Sequence, residues 1–255
     1  MKRLIVSIAM LIVIAGITTA QDTKKKEEKA APVANAARLI KKVPTPQNWQ
    51  KTMAQASKNK GAPGAHRAGP VVWGIGLNDS VWLWNGNAWA EPNSAARLQQ
   101  VDAASQGGAW GIGANGRVFK TLDGSTWSEP NPAAKLNQIT GNLYAAWGIG
   151  DSSRIFSSID GGQGWFEPNS QASAMQISAG NWDNVWAVAS THRVFRYDIN
   201  ILSWDEPNPE ARLTQVSAIS VGGAWGIGYN HRVFVTVDGT TWSEPNPTAK
   251  LHQIS

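Results

Sequence analysis

The feature that most constrains this chain is a word, Trp-Gly-Ile-Gly, found at Trp73–Gly76, Trp110–Gly113, Trp147–Gly150 and Trp225–Gly228. An altered copy reads Trp186-Ala187-Val188-Ala189. Successive Trp residues of the word stand 37, 37, 39 and 39 residues apart. A period in this range marks a solenoid, a propeller or an array, built from units that cannot bury their apolar faces alone.

Each unit holds four short apolar segments. Segment A is Leu98–Val101, Leu136–Ile139, Ala174–Ile177, Leu213–Val216 and Leu251–Ile254. Segment B is the Trp-Gly word. Segment C begins at Val81, Val118, Ile155, Val194 and Val233. Segment D begins at Trp89, Trp127, Trp165, Trp204 and Trp242, and Glu-Pro-Asn follows it each time. Val, Ile, Phe and Trp dominate these segments, and Gly, Asn, Asp or Pro bounds them, which is the pattern of strands. No window sustains the period of an amphipathic helix. In segment B, Trp147 and Ile149 alternate with Gly148 and Gly150, so one face is bulky and the other bare. The bare face is expected to admit the neighbouring sheet.

Four antiparallel strands per repeat describe a propeller blade. The repeats open on a B segment and close on an A segment. The expected fold is therefore all-β, a five-bladed β-propeller over residues 71–255. Residues 251–255 are expected to complete the first blade as its inner strand, removing two open edges. Ten of the 14 Trp residues fall at the B and D positions, where they are expected to fill the space between blades.

The N-terminal residues read differently. Lys2 and Arg3, the apolar run Leu4–Ile17 and the small residues Thr18-Thr19-Ala20 make residues 1–20 a secretory signal. The run is short for a bilayer span, so no transmembrane segment is expected after cleavage. Residues 21–70 carry eleven Lys/Arg and three Asp/Glu, a charge of +8. They are expected to form a basic linker, disordered near Lys24–Lys29, with short helices over 34–42 and 47–57. Residues 71–255 carry ten Lys/Arg and fifteen Asp/Glu, or −5. The repeats thus have no electrostatic case for nucleic acid. Zero Cys rules out a disulfide framework, so an exported domain must be held by its core. Secretion or a periplasmic location is the expectation.

The order Leu-x-Gln-Ile, then Trp-Gly-Ile, then Arg-Val-Phe and Trp resembles the tectonin-type propeller repeat across residues 71–255. The resemblance implies a lectin or surface-recognition protein. Ser158–Trp165 also resembles an Asp-box, a folding turn of sialidases and related propellers that carries no activity by itself.

No enzyme is expected. His66, His192, His231 and His252 offer no metal-ligand spacing, and no cofactor motif is present. Glu91, Glu129, Glu167, Glu206 and Glu244 recur once per blade. Equivalent environments oppose the division of acid and base labour that glycoside hydrolysis needs. Arg117, Arg154, Arg193 and Arg232 are likewise one per blade, not a cluster around one substrate carboxylate. No catalytic residue is assigned.

Equivalence favours repeated binding instead. Connections B–C and D–A share one face. That face carries the glutamates and arginines above with Asn93, Asn131, Asn169, Asn208 and Asn246, groups suited to sugar hydroxyls. The competing reading makes Glu-Pro-Asn a structural turn. On the opposite face Trp182 breaks the repeat and is the candidate exposed aromatic. The expected function is a glycan-binding, lectin-like propeller. The alternative is a protein-interaction scaffold.

Overall fold

In the computed structural model the described residues are 72–104, 108–220 and 222–255. The expected signal, basic linker and its helices lie outside them. No helix of the described residues is long and apolar enough to cross a membrane.

The chain forms five small antiparallel sheets in sequence order. Sheet 1 is β1 (Val72–Ile75), β2 (Val81–Trp84) and β3 (Trp89–Ala90). Sheet 2 is β4 (Gln100–Ala103), β5 (Ala109–Ile112), β6 (Val118–Thr121) and β7 (Trp127–Ser128). Sheet 3 is β8 (Gln138–Gly141), β9 (Ala146–Ile149) and β10 (Ile155–Ser158). Sheet 4 is β11 (Gln176–Ala179), β12 (Val185–Val188), β13 (Val194–Asp198) and β14 (Ser203–Asp205). Sheet 5 is β15 (Gln215–Ala218), β16 (Ala224–Ile227) and β17 (Val233–Thr236). In sheets 3 and 5 the outer strand shrinks to single bridges, Ser157 with Phe166 and Val235 with Ser243.

One register repeats. Segment A pairs with segment B so that Val101 faces Gly111, Ile139 faces Gly148, Ile177 faces Ala187 and Val216 faces Gly226. The bare face is not filled by a neighbouring sheet, contrary to the expectation from the sequence. Its glycines admit a leucine of their own sheet: a Cβ on Gly111, Gly148 or Gly226 would stand 2.3, 2.4 or 2.3 Å from Leu98, Leu136 or Leu213. The leucine that starts segment A folds back over segment B, and only a missing side chain leaves room for it.

The core lies between sheets. The B tryptophan of one sheet meets the D tryptophan of the next edge to face. Trp73–Trp127, Trp110–Trp165, Trp147–Trp204 and Trp186–Trp242 have ring centroids 5.8, 6.5, 5.9 and 5.8 Å apart. Burying such a ring contributes roughly 4–6 kcal/mol as an upper figure at about 25 cal/mol/Å². Polar contacts repeat with them. The Gln100 side chain donates to Ile139 O and accepts from Ile139 N. Gln138 does the same with Ile177, Gln176 with Val216 and Gln215 with Ile254.

The expected completion of the first blade by residues 251–255 is not formed. Sheet 1 ends at β1, and Leu251–Ser255 is held beyond sheet 5 by Gln215 and by the bond from Leu251 N to His231 O. Among the described residues no ladder joins it to β1.

Candidate functional site

The arginine that opens segment C bridges backbone to backbone with the residue just before the next segment A: Arg117 with Lys135, Arg154 with Ser173, Arg193 with Arg212 and Arg232 with Lys250. In sheet 1, Ser80 takes this place and bridges Arg97. These bridges bring connections B–C and D–A to one face, as the repeat pattern implied.

On that face each arginine meets the glutamate of its own Glu-Pro-Asn. Nε and Nη2 of Arg117, Arg154 and Arg193 donate to the two carboxylate oxygens of Glu129, Glu167 and Glu206. Arg232 grips Glu244 in the same way. The guanidinium also lies over a segment C phenylalanine, 5.6 Å from the Phe119 centroid, 5.7 Å from Phe156, 5.5 Å from Phe195 and 5.9 Å from Phe234. Two planar interactions thus hold each fork. The carboxylates are largely covered, whereas the arginine side chains are 42, 49, 45 and 40% exposed. Nη1 of each makes no hydrogen bond among the described residues. Glu91, lacking an arginine partner at Ser80, approaches Arg97 at 3.7 Å.

The asparagines serve the backbone. Asn93, Asn131, Asn169, Asn208 and Asn246 accept through Oδ1 from the N–H two residues on. Asn93, Asn131 and Asn208 also donate through Nδ2 to Ser125 O, Gln163 O and Thr240 O of the next sheet. Trp182 is partly buried against the cluster around Trp147 and Tyr197, not the freely exposed ring expected of it. Within its loop Asn181 Oδ1 accepts from Asp183 N and Asn184 N. Among the described residues, the large aromatic side chains that stand exposed are Trp89, Trp225 and Tyr229. Tyr229 packs at a tilt against His192, centroids 4.3 Å apart, and His231 likewise against His252 at 4.5 Å. Trp89 and Trp225, being exposed, depart from the expectation that every B and D tryptophan fills the space between blades.

The Asp-box turn is built as the sequence suggested, with Gly162 N bonded to Ser158 Oγ and Gly164 N to Asp160 Oδ1. Two more repeats use the same device. Thr121 and Asp123 hold one such turn, and Thr236 and Asp238 the other. Backbone N–H groups, led by that of Thr126, hold the Asp123 carboxyl below its usual range. At the inner strands Asp102 stands where Thr140 and Ser178 stand in later sheets. It accepts from Gly141 N at 3.0 Å, as Thr140 Oγ1 accepts from Ala179 N and Ser178 Oγ from Ala218 N. Burial pushes its carboxyl up to about 7, against the opposing pull of Gly141 and Thr140.

A polar groove of about 910 Å³ runs beside sheets 4 and 5, lined by Asn181, Asp183, Arg196, Asp198, Asp205 and Asp238 among others. Arg196 lies over the Trp186 ring at 5.7 Å. Among the described residues no three His, Cys, Asp or Glu converge as metal ligands.

Known proteins complete this picture. No curated protein matches the sequence. Among solved structures, YCF48 bound to D1 peptide is similar with a TM-score of 0.50 at 18% identity, covering 68% of this chain and 64% of that one. The GH74 enzyme of Niastella koreensis matches at a TM-score of 0.51 and 12% identity, over 66% of this chain and 28% of that chain. PorZ of Porphyromonas gingivalis, a surface component of its type-IX secretion system, matches at 0.50 and 9%, over 69% and 24%. The chain spans less than two thirds of each, and the likeness concerns the fold alone. The family model of the tectonin domain matches residues 45–173, half of the 255-residue sequence, and the chain belongs to the tectonin domain family.

Proposed function

We propose that this protein is an exported, non-enzymatic, lectin-like propeller that binds glycans through its repeated B–C and D–A face. The observation that carries this reading is the set of four equivalent arginines. Each is fixed by a glutamate and a phenylalanine, and each leaves Nη1 unbonded among the described residues. A guanidinium held in place loses little freedom when it binds, so its remaining edge is ready for sugar hydroxyls or carboxylates. One such site is weak. Several on one face gain avidity on a polyvalent surface. The near-identity of the four sites favours binding over catalysis, which needs unlike neighbours.

The full chain on an array of microbial and host glycans tests the proposal. Retention that falls stepwise as Arg117, Arg154 and Arg193 are changed to Lys supports it. Silence across the array at millimolar sugar sinks it. A protein-interaction scaffold is the second reading, favoured by the fold neighbour that holds a peptide. A stoichiometric protein partner, captured unchanged in the presence of sugars, would select it.

A further inference from the structure

The groove beside sheets 4 and 5 lies on the face opposite the arginine forks, where connections A–B and C–D run. Its volume of about 910 Å³ falls in the range of ligand clefts. Side chains fasten its two walls to each other. Asn184 Nδ2 donates to Ile219 O and Gly223 O, Asn181 Nδ2 to Ser220 O and Asn208 Nδ2 to Thr240 O. Asn184 Oδ1 accepts from Trp186 Nε1. A cleft held open in this way adds little ordering cost when something enters it.

Four aspartates line it: Asp183, Asp198, Asp205 and Asp238. Two of them hold turns. Asp198 Oδ1 accepts from Asn200 N, and Asp238 Oδ1 from Thr240 N and Thr241 N. The carboxylates of Asp183 and Asp205 have no such duty, and neither makes a hydrogen bond or an ion pair among the described residues. Both also break the repeat. Asp205 follows the segment D tryptophan where the other sheets have Ala90, Ser128, Phe166 and Ser243. Asp183 gives its N–H to the loop asparagine as Tyr144 does in sheet 3. The blade plan asks for neither acid.

Arg196 is the cation of the groove. It lies over the Trp186 ring at 5.7 Å and forms no ion pair among the described residues. Glu206, at the edge, is taken by Arg193. Four aspartates against one guanidinium leave −3 (1 − 4). The matching groove of about 520 Å³ between sheets 2 and 3 has Asp123 and Asp160 against Lys120, or −1 (1 − 2), and Lys120 is tied to Leu143 O. The surplus of acid thus belongs to one joint. Ile201 and Val237, in the two C–D turns that border this groove, are 65 and 79% exposed.

We propose that the groove docks an extended cationic segment of a partner protein. Lys or Arg side chains of the segment meet Asp183 and Asp205, and its aliphatic side chains lie against Ile201 and Val237. Arg196 donates to the segment's backbone carbonyls, the acceptors that a cationic chain still offers. The sign of the charge selects such a partner over nucleic acid or an anionic lipid surface. The site stands on the other face from the forks, so it does not rest on the glycan reading.

Fluorescence anisotropy of a labelled peptide of alternating lysine and valine, titrated with the full chain, tests this. Binding should weaken as salt rises. The same peptide with glutamate in place of lysine should not bind. Asp183→Asn with Asp205→Asn should weaken binding at least about tenfold, with unchanged circular dichroism, because neither carboxylate holds the backbone. Asp151→Asn with Glu210→Gln removes the same charge from exposed loops of the opposite face and should leave the affinity within about twofold, since solvent screens distant charges. Equal losses in the two double variants overturn the proposal, because attraction then follows net charge and not the groove. No binding of the lysine peptide at low salt also overturns it. Glycan retention should be the same in the groove variant and the wild type, so either reading can fail while the other stands.

Discussion

Ala174 and Ala187 together take the positions that a leucine and a glycine hold in the other complete sheets. In sheets 2, 3 and 5, Leu98, Leu136 and Leu213 lie on Gly111, Gly148 and Gly226. In sheet 4 both members are Ala, 1 and 2% exposed, in one core cluster. The altered copy of the Trp-Gly word is therefore a paired change, a smaller side chain in segment A matched by a larger one in segment B.

That pairing is measurable. Ala174→Leu alone should overpack sheet 4 and cost about 1–3 kcal/mol. Ala187→Gly alone should cost about 1 kcal/mol through lost packing and backbone freedom. The double variant should recover most of the loss. Urea unfolding of all four species gives the coupling, and additive losses would refute the exchange.

Asp102 should make stability depend on pH. Its carboxyl is raised from 3.8 to about 7 in the folded protein, so between those values the fold holds more protons than the unfolded chain. Stability is then fullest below the unfolded value and falls as pH rises through 7. The loss is roughly 2–4 kcal/mol, since each tenfold change in proton affinity is worth about 1.4 kcal/mol and the residue is only partly buried. Asp102→Thr, which copies Thr140, should flatten the slope. Melting temperatures at pH 5 and pH 8.5 for both proteins check it.

Arg154 should matter to the fold as well as to any ligand. Glu167 is covered to 6% exposure of its side chain, while Arg154 is 49% exposed. Arg154→Ala leaves that carboxylate without its partner, at about 1–3 kcal/mol after allowing for the solvent at the arginine. Arg154→Ala with Glu167→Gln should be less destabilised than Arg154→Ala alone. Chemical unfolding of the three proteins separates this cost from any loss of glycan binding.

Gly162 and Gly86 share a turn position but not an environment. Gly162 has φ +92° and meets Trp110 at 2.8 Å from a Cβ, so Gly162→Ala should cost about 2–4 kcal/mol. Gly86 has φ +96° with open space around it, so Gly86→Ala should cost about 1 kcal/mol, from the backbone alone. Thermal unfolding compares them.

The sequence by itself determined the repeat, the order of segments, the strand class and the places of the tryptophans. Each of these is local or periodic, and the alternation of Trp and Ile with Gly in segment B is legible without coordinates. It also marked the one-per-repeat Arg, Glu and Asn. It did not reveal that Arg154 grips Glu167, thirteen residues on, because a bidentate pair depends on where two loops end. Nor did it reveal that Leu98 lies on Gly111, since register is set across strands and not along them. Leu251 and Leu213 read alike as residues, yet one is exposed and the other buried. Leu213 is buried because it lies on Gly226 of the strand that follows it, a contact across strands that only the tertiary structure shows.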